Sequence, residues 1–181
     1  PAWVAFLFRW WAVLDSNQRP IRHPERSLED LAGEALIRAL ADAGCTAPQI
    51  GVAYYSGMTN GTLQGQISIP GQVIFSKIGI EGIPVYNVEN ACASGSSAFN
   101  LAVQSLKAGT ADVALAIGAE KMNIADKAKA FAIFEGGWDV SRADANAAVL
   151  MRMGEGITPP PGSESDRPYS KFMSIYAAFC R

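Results

Sequence analysis

The residue that invites chemistry is Cys92, in the stretch "VYNVENACASGSSAFNLAVQSLKAG" from Val85 to Gly109. A β-branched run ends there in a thiol, small residues follow, and a helical pattern begins. The start of a helix presents unpaired N–H groups and the positive end of its dipole, which favours a thiolate over a thiol. A thiol so placed is a nucleophile at neutral pH. Ala91, Ala93, Ser94, Gly95, Ser96 and Ser97 are small enough to admit a substrate, and the Cys92 N–H would lie near a developing oxyanion. The same residue types also suit a cysteine that fills a close helix–sheet contact, so packing and chemistry both stay open on residue types alone.

The other reactive side chains are poorer candidates. His23, the single histidine, stands in "RHPERS" ahead of the first clear helix, where a solvent-facing loop residue is expected. Cys45 follows the helix-ending Gly44 and reads as a turn or packing residue; Cys180 is one residue from the last. With one histidine and no CxxC pair, zinc constellations are absent, and no metal is expected. "GTLQG" lacks the strand and spacing of a phosphate loop. Three cysteines without regular spacing argue against a disulfide framework and fit a reducing, cytoplasmic setting. A net charge of −2 with no basic stripe makes nucleic acid and anionic membranes poor partners.

The elements that must hold Cys92 can be read outward from it. "SLEDLAGEALIRALADAG" has Ser27 and Asp30 at capping-box spacing. Apolar residues follow at Leu28, Leu31, Ala32, Ala35, Leu36, Ala39, Leu40 and Ala43, and Gly44 stops the helix. Ile50–Ser56 reads as a buried strand, Pro70–Ile78 as a helix with proline in its first turn, and Val85–Val88 as a second strand. A helix from Ser94, with Ala98, Leu101, Ala102 and Leu106 toward the core, ends before Gly109. "DVALAIGAE" is apolar enough for a strand covered on both faces. Alternating strands and helices imply an α/β layered domain. Its 181 residues, 49% hydrophobic and only 18% charged, suffice for one such domain with a sizeable core.

Both ends are less regular. Trp3, Trp10 and Trp11 crowd the N-terminus, where Trp3–Phe8 is expected to form a strand. The apolar run is broken by Arg9 and falls short of the roughly 20 residues of a spanning helix, and no signal-peptide pattern is present. "RWWAVLDSNQRP" fits no structural reading and resembles a peptide read across a transfer-RNA gene, so a miscalled or fused start stays open for residues 1–22. Residues 23–122 make the α/β domain; 123–181 read as a loop excursion over it, with small helical pieces and a final helix at Lys171–Phe179. The chain stops inside that helical pattern and looks cut.

"NVENACASGSSAFNLAVQSLKAGTADVALAIGAEKM" closely resembles the nucleophile region of the thiolase superfamily, nearest to the sterol-carrier-protein thiolases and lipid-transfer acetyl-CoA acetyltransferases. "HPERSLEDLAGEALIRALADAG" and "IGVAYYSG" are similar to the usual N-terminal part. The resemblance implies a thiolase-like mixed sheet with helices on both faces, of which this chain is the N-terminal half plus part of the covering loop. It also implies that Cys92 is acylated by a coenzyme A thioester and that its own N–H is half of an oxyanion hole. The reaction would be Claisen condensation or thiolysis of a 3-ketoacyl-CoA, with no bound cofactor. The family's activating histidine, in a Gly-His-Pro motif, and its second cysteine, in a Cys-x-Gly motif, are not among these residues. A fragment without them is expected to be inactive alone. A homodimer paired through the counterpart of Tyr86–Glu89 is implied by the resemblance alone. Two alternatives remain: a non-catalytic acyl-CoA-binding or interaction subunit completed by a partner, and a ketoacyl synthase.

Overall fold

A computed structural model describes residues 26–122, 124–156, 158, 161–162 and 176. The strand expected at Trp3–Phe8, His23, Cys180 and, apart from Tyr176, the helix expected at Lys171–Phe179 lie outside them. The chain divides into two compact units on either side of the Ala125–Asp126 bond.

In the first unit, helix α1 (Leu28–Ala43) begins at a complete capping box. The Ser27 hydroxyl accepts from the Asp30 N–H at 3.1 Å, and the Asp30 carboxylate accepts from the Ser27 N–H at 2.9 Å. That second bond holds the Asp30 carboxyl below its ordinary range. Gly44 ends the helix in the left-handed region, at φ 63°. Strand β1 (Val52–Ser56), helices α2 (Asn60–Gln64) and α3 (Pro70–Lys77), strand β2 (Val85–Val88), helix α4 (Ser94–Lys107) and strand β3 (Ala114–Gly118) follow.

The three strands form one sheet in the order β2-β1-β3, with both pairings parallel. This is the expected α/β layer, and every strand pairing among the described residues is parallel. Each strand is joined to the next by a helical crossover, and that connection makes neighbours parallel. Alternation along β1 splits the core into two layers. Ala53 and Tyr55 face α1 and α3 with Leu36, Ile74, Phe75 and Leu115; Val52 and Tyr54 face α4 with Val88, Ala98 and Ala102. Helices therefore cover both faces of an α/β sheet, as expected. Burying a side chain such as Phe75 or Leu115 contributes about 1.5–3 kcal/mol. The Lys77 ammonium and the Glu29 carboxylate join α3 to α1, which holds the Glu29 carboxyl below its ordinary range.

One expectation fails locally. Leu101 is 37% exposed instead of buried, because α4 meets the sheet along Ala98 and Ala102 and Leu101 lies on its flank. Helix α2 is entered through Met58 and Thr59, whose N–H groups donate to the Glu120 carboxylate from beyond β3.

The second unit contains helices α5 (Lys127–Ala132) and α6 (Ala143–Met153) with short 3₁₀ turns at Ile133–Gly137 and Val140–Arg142. Asp126 caps α5 by accepting from the Lys129 N–H at 2.9 Å, and Asp139 accepts from the Ser141 N–H at 3.0 Å.

Candidate functional site

Strand β2 delivers the chain to the C-terminal end of the sheet, and α4 starts at Ser94. The turn between them carries Cys92, whose thiol is free and exposed. Ala91, immediately before it, has φ 45°. A left-handed conformation in a residue with a Cβ costs roughly 1–2 kcal/mol, so its surroundings must hold it there.

They do so through the two peptide planes that flank Ala91. The Ala91 N–H donates to the Glu89 carboxylate at 2.6 Å, and Asn90 C=O, in the same plane, accepts from the Ala93 N–H at 2.9 Å. Ala91 C=O accepts from the Ser94 hydroxyl at 2.7 Å and from the Ser94 N–H at 3.1 Å. The Ser94 hydroxyl also accepts from the Asn90 N–H at 2.8 Å, and Asn90 Nδ2 donates to the Ser97 hydroxyl at 2.9 Å. Ser94 is buried and clamps the turn instead of clearing space for a substrate, a correction to its expected role. Ala91, Ala93 and Ser96 are exposed, as room beside the sulfur requires.

The lacing consumes the backbone groups of Asn90 and Ala91 and leaves others. Among the described residues, no acceptor takes the N–H of Cys92, and none takes those of Gly95 and Ser96 in the first turn of α4. The Cys92 N–H, in the same residue as the thiol, is thereby available as a donor, the kind of group that stabilises charge developing on a carbonyl oxygen.

Beyond the other strands at the same end of the sheet lies a buried polar group. The Tyr55 hydroxyl donates to Ala119 C=O at 2.8 Å and accepts from Asn60 Nδ2 at 2.7 Å. Burial pushes this hydroxyl up to about 12, so it stays a neutral donor. Cys45 belongs elsewhere. It is half-buried in the connection that feeds the N-terminal end of β1, with Sγ 3.6 Å from Ala43 C=O. The sheet thus separates the two thiols, and sequence and structure agree in giving Cys45 a turn position. Among the described residues, no group of three His, Cys, Asp or Glu side chains is arranged to hold a metal, and no helix is long and apolar enough to cross a membrane.

The sequence places Cys92 at a strand-to-helix turn, as the structure does, but the bonds that Glu89, Asn90 and Ser94 make around it were not read from it. The density of short polar side chains around "ENACAS" was a signal for local side chain–backbone bonds. Nothing signalled a left-handed Ala91, since glycine and asparagine are the usual occupants of that region.

Comparison with known proteins bears directly on this turn. Residues 19–154 match the family model for the thiolase N-terminal domain. The chain belongs to the thiolase family. Bovine sterol carrier protein 2 is 39% identical to this thiolase-family chain over 110 residues, 57% of the chain and 19% of the relative. An acetyl-CoA acetyltransferase of Methanocaldococcus jannaschii is 40% identical over 98 residues, 54% of the chain and 25% of the relative. A benzoylsuccinyl-CoA thiolase subunit of Thauera aromatica is 36% identical over 101 residues, 55% of the chain and 24% of the relative. The thiolase match thus spans a quarter or less of the length of these relatives.

Proposed function

We propose that this chain carries the nucleophile of a thiolase-type acyltransferase, and that Cys92 is that nucleophile. The Cys92 thiolate attacks the carbonyl carbon of a coenzyme A thioester. A new S–C bond forms, the bond from the carbonyl to the coenzyme A sulfur breaks, and coenzyme A leaves as a thiolate that takes up a proton. The acyl group then passes to the enolate of a second acyl-CoA; in the reverse sense, a 3-ketoacyl-CoA is cleaved. The observation that carries this reading is the exposed Cys92 thiol beside its own unpaired N–H. Removing one donor of this kind from an oxyanion hole costs about 2.7–4 kcal/mol of barrier, so the position of that N–H matters as much as the sulfur.

Several further features belong to the same reading. Coenzyme A thioesters are the substrates, and the activating base and second oxyanion donor come from a C-terminal half of the family type. A homodimer would form along the β2 edge at Tyr86–Glu89; in its support, Tyr86 is 53% exposed and is stacked on Tyr54 at 5.2 Å between ring centroids. A free thiol nucleophile needs a reducing compartment, which supports a cytoplasmic setting.

Intact-protein mass after incubation with acetyl-CoA tests the proposal, with and without a thiolase C-terminal half supplied in trans. One acetyl group on the parent and none on Cys92→Ala is the expected result. Equal labelling of both proteins, or no labelling of folded parent under either condition, would overturn it.

A further inference from the structure

We infer that Glu89 is a positioning residue for the nucleophile: its carboxylate fixes the left-handed Ala91 turn that presents the Cys92 thiol and N–H. This rests on the reading of Cys92 as the acyl acceptor and adds a residue that the reading does not require.

The argument is one of peptide planes. Rotation about φ of Ala91 turns the plane that contains Asn90 C=O and the Ala91 N–H; rotation about ψ turns the plane that contains Ala91 C=O and the Cys92 N–H. Ser94, buried at the start of α4, holds the second plane through two bonds to Ala91 C=O. The first plane is held from its N–H side by Glu89 at 2.6 Å and from its carbonyl side by the Ala93 N–H. Among the described residues, Glu89 is the only side chain bonded to that plane, and its acceptor is a carboxylate oxygen, which makes the bond stronger than one to a neutral acceptor. It stands at the exposed end of β2, where water competes for any weaker contact. If the first plane is released, Ala91 is freer to relax toward the right-handed region that alanine prefers; that change turns ψ as well as φ, so it pulls the second plane, with the Cys92 N–H, against its Ser94 bonds. Glu89 therefore acts through Ala91 and touches no substrate.

The test compares Glu89→Ala and Glu89→Gln with the parent in two reactions of Cys92. Acylation by acetyl-CoA needs the N–H to meet a carbonyl oxygen; alkylation by iodoacetamide needs only an accessible sulfur. Both are followed by intact mass, and the three-bond coupling between the amide and α protons of Ala91 reads φ directly. The low end of the worth of a hydrogen bond to a charged group, carried into the barrier, corresponds to about tenfold in rate. Glu89→Ala should therefore acylate about tenfold more slowly, alkylate within about threefold of the parent, and show an altered Ala91 coupling. Glu89→Gln keeps an acceptor and should recover most of the acylation rate. An unchanged acylation rate in Glu89→Ala would overturn the inference, and so would an equal loss in both reactions. If the parent itself takes no acetyl group, the nucleophile reading fails separately. The coupling then decides for Glu89, and a left-handed Ala91 retained in Glu89→Ala overturns its role.

Discussion

Gly71 and Gly33 lie inside helices of the same layer, and the structure assigns opposite signs to the same substitution at the two sites. Alanine in a helix interior is favoured over glycine by about 1 kcal/mol. A Cβ on Gly33 in α1 would meet only Ile78 Cγ2, at 3.5 Å, an ordinary contact. A Cβ on Gly71, in the first turn of α3, would lie 2.6 Å from Tyr55 Cβ and 2.8 Å from Asn87 Oδ1. Tyr55 is fully buried in the central strand and cannot withdraw. Asn87 can retreat only by giving up its 2.7 Å bond from the Gly71 N–H. Overpacking of this kind costs about 1–3 kcal/mol and the lost bond about 1, against at most about 1 gained in propensity. Gly71→Ala should therefore destabilise by roughly 2 kcal/mol and lower Tm by roughly 10 °C. Gly33→Ala should stabilise by up to about 1 kcal/mol and raise Tm by a few degrees. Thermal and urea melts followed by circular dichroism measure both. If Gly71→Ala melts at or above the parent, the close approach of α3 to the sheet is not as described and the argument falls.

Other consequences can be checked with the same preparations. Tyr55→Phe removes the hydroxyl that serves Asn60 Nδ2 and Ala119, and Asn60 Oδ1 already has no partner. The variant should lose about 1–3 kcal/mol in urea titration, and a stability equal to the parent would show that Asn60 finds another partner. Glu29 has its carboxyl lowered in the fold, first by the bond from Lys77. It contributes stability above the ordinary value of 4.5 that is lost as pH falls through the lowered value. Glu29→Gln should therefore be less stable than the parent at neutral pH and draw level in acid; a constant difference would deny the linkage.

How much of this was legible depended on how local the determining physics was. The limits of α1 were readable because Ser27, Asp30 and Gly44 fix them within one turn of chain. Strand β2 fell on Val85–Val88 as the β-branched pattern indicated, and the place of Cys92 between strand and helix was legible because that turn is a local arrangement. What escaped was decided at a distance. The approach to helix α2, at Met58 and Thr59, is held by Glu120, which the chain reaches only after two more strands. The burial of Leu101 was overestimated because periodicity marks a face, whereas the alanines on α4 narrow the part of that face that touches the sheet. The left-handed Ala91 is the exception, a local feature that still escaped: bonds from its neighbours impose it against its own preference, so no propensity scale points to it.

The sheet order also bears on how the chain is made. Among the described strands, β1 is central yet leaves the ribosome before its partners; β2 and β3 follow only after helical crossovers. Until Gly118 has been synthesised, "VAYYS", uncharged and rich in strand-forming residues, has at least one open edge. Its neighbours in the nascent chain are α1 behind it and the helices α2 and α3 ahead of it, which can cover one face while the edges wait. Synthesis therefore passes through a stage at which the strand that later organises the sheet is its most adhesive part, and α4 and β3 together bring that stage to an end.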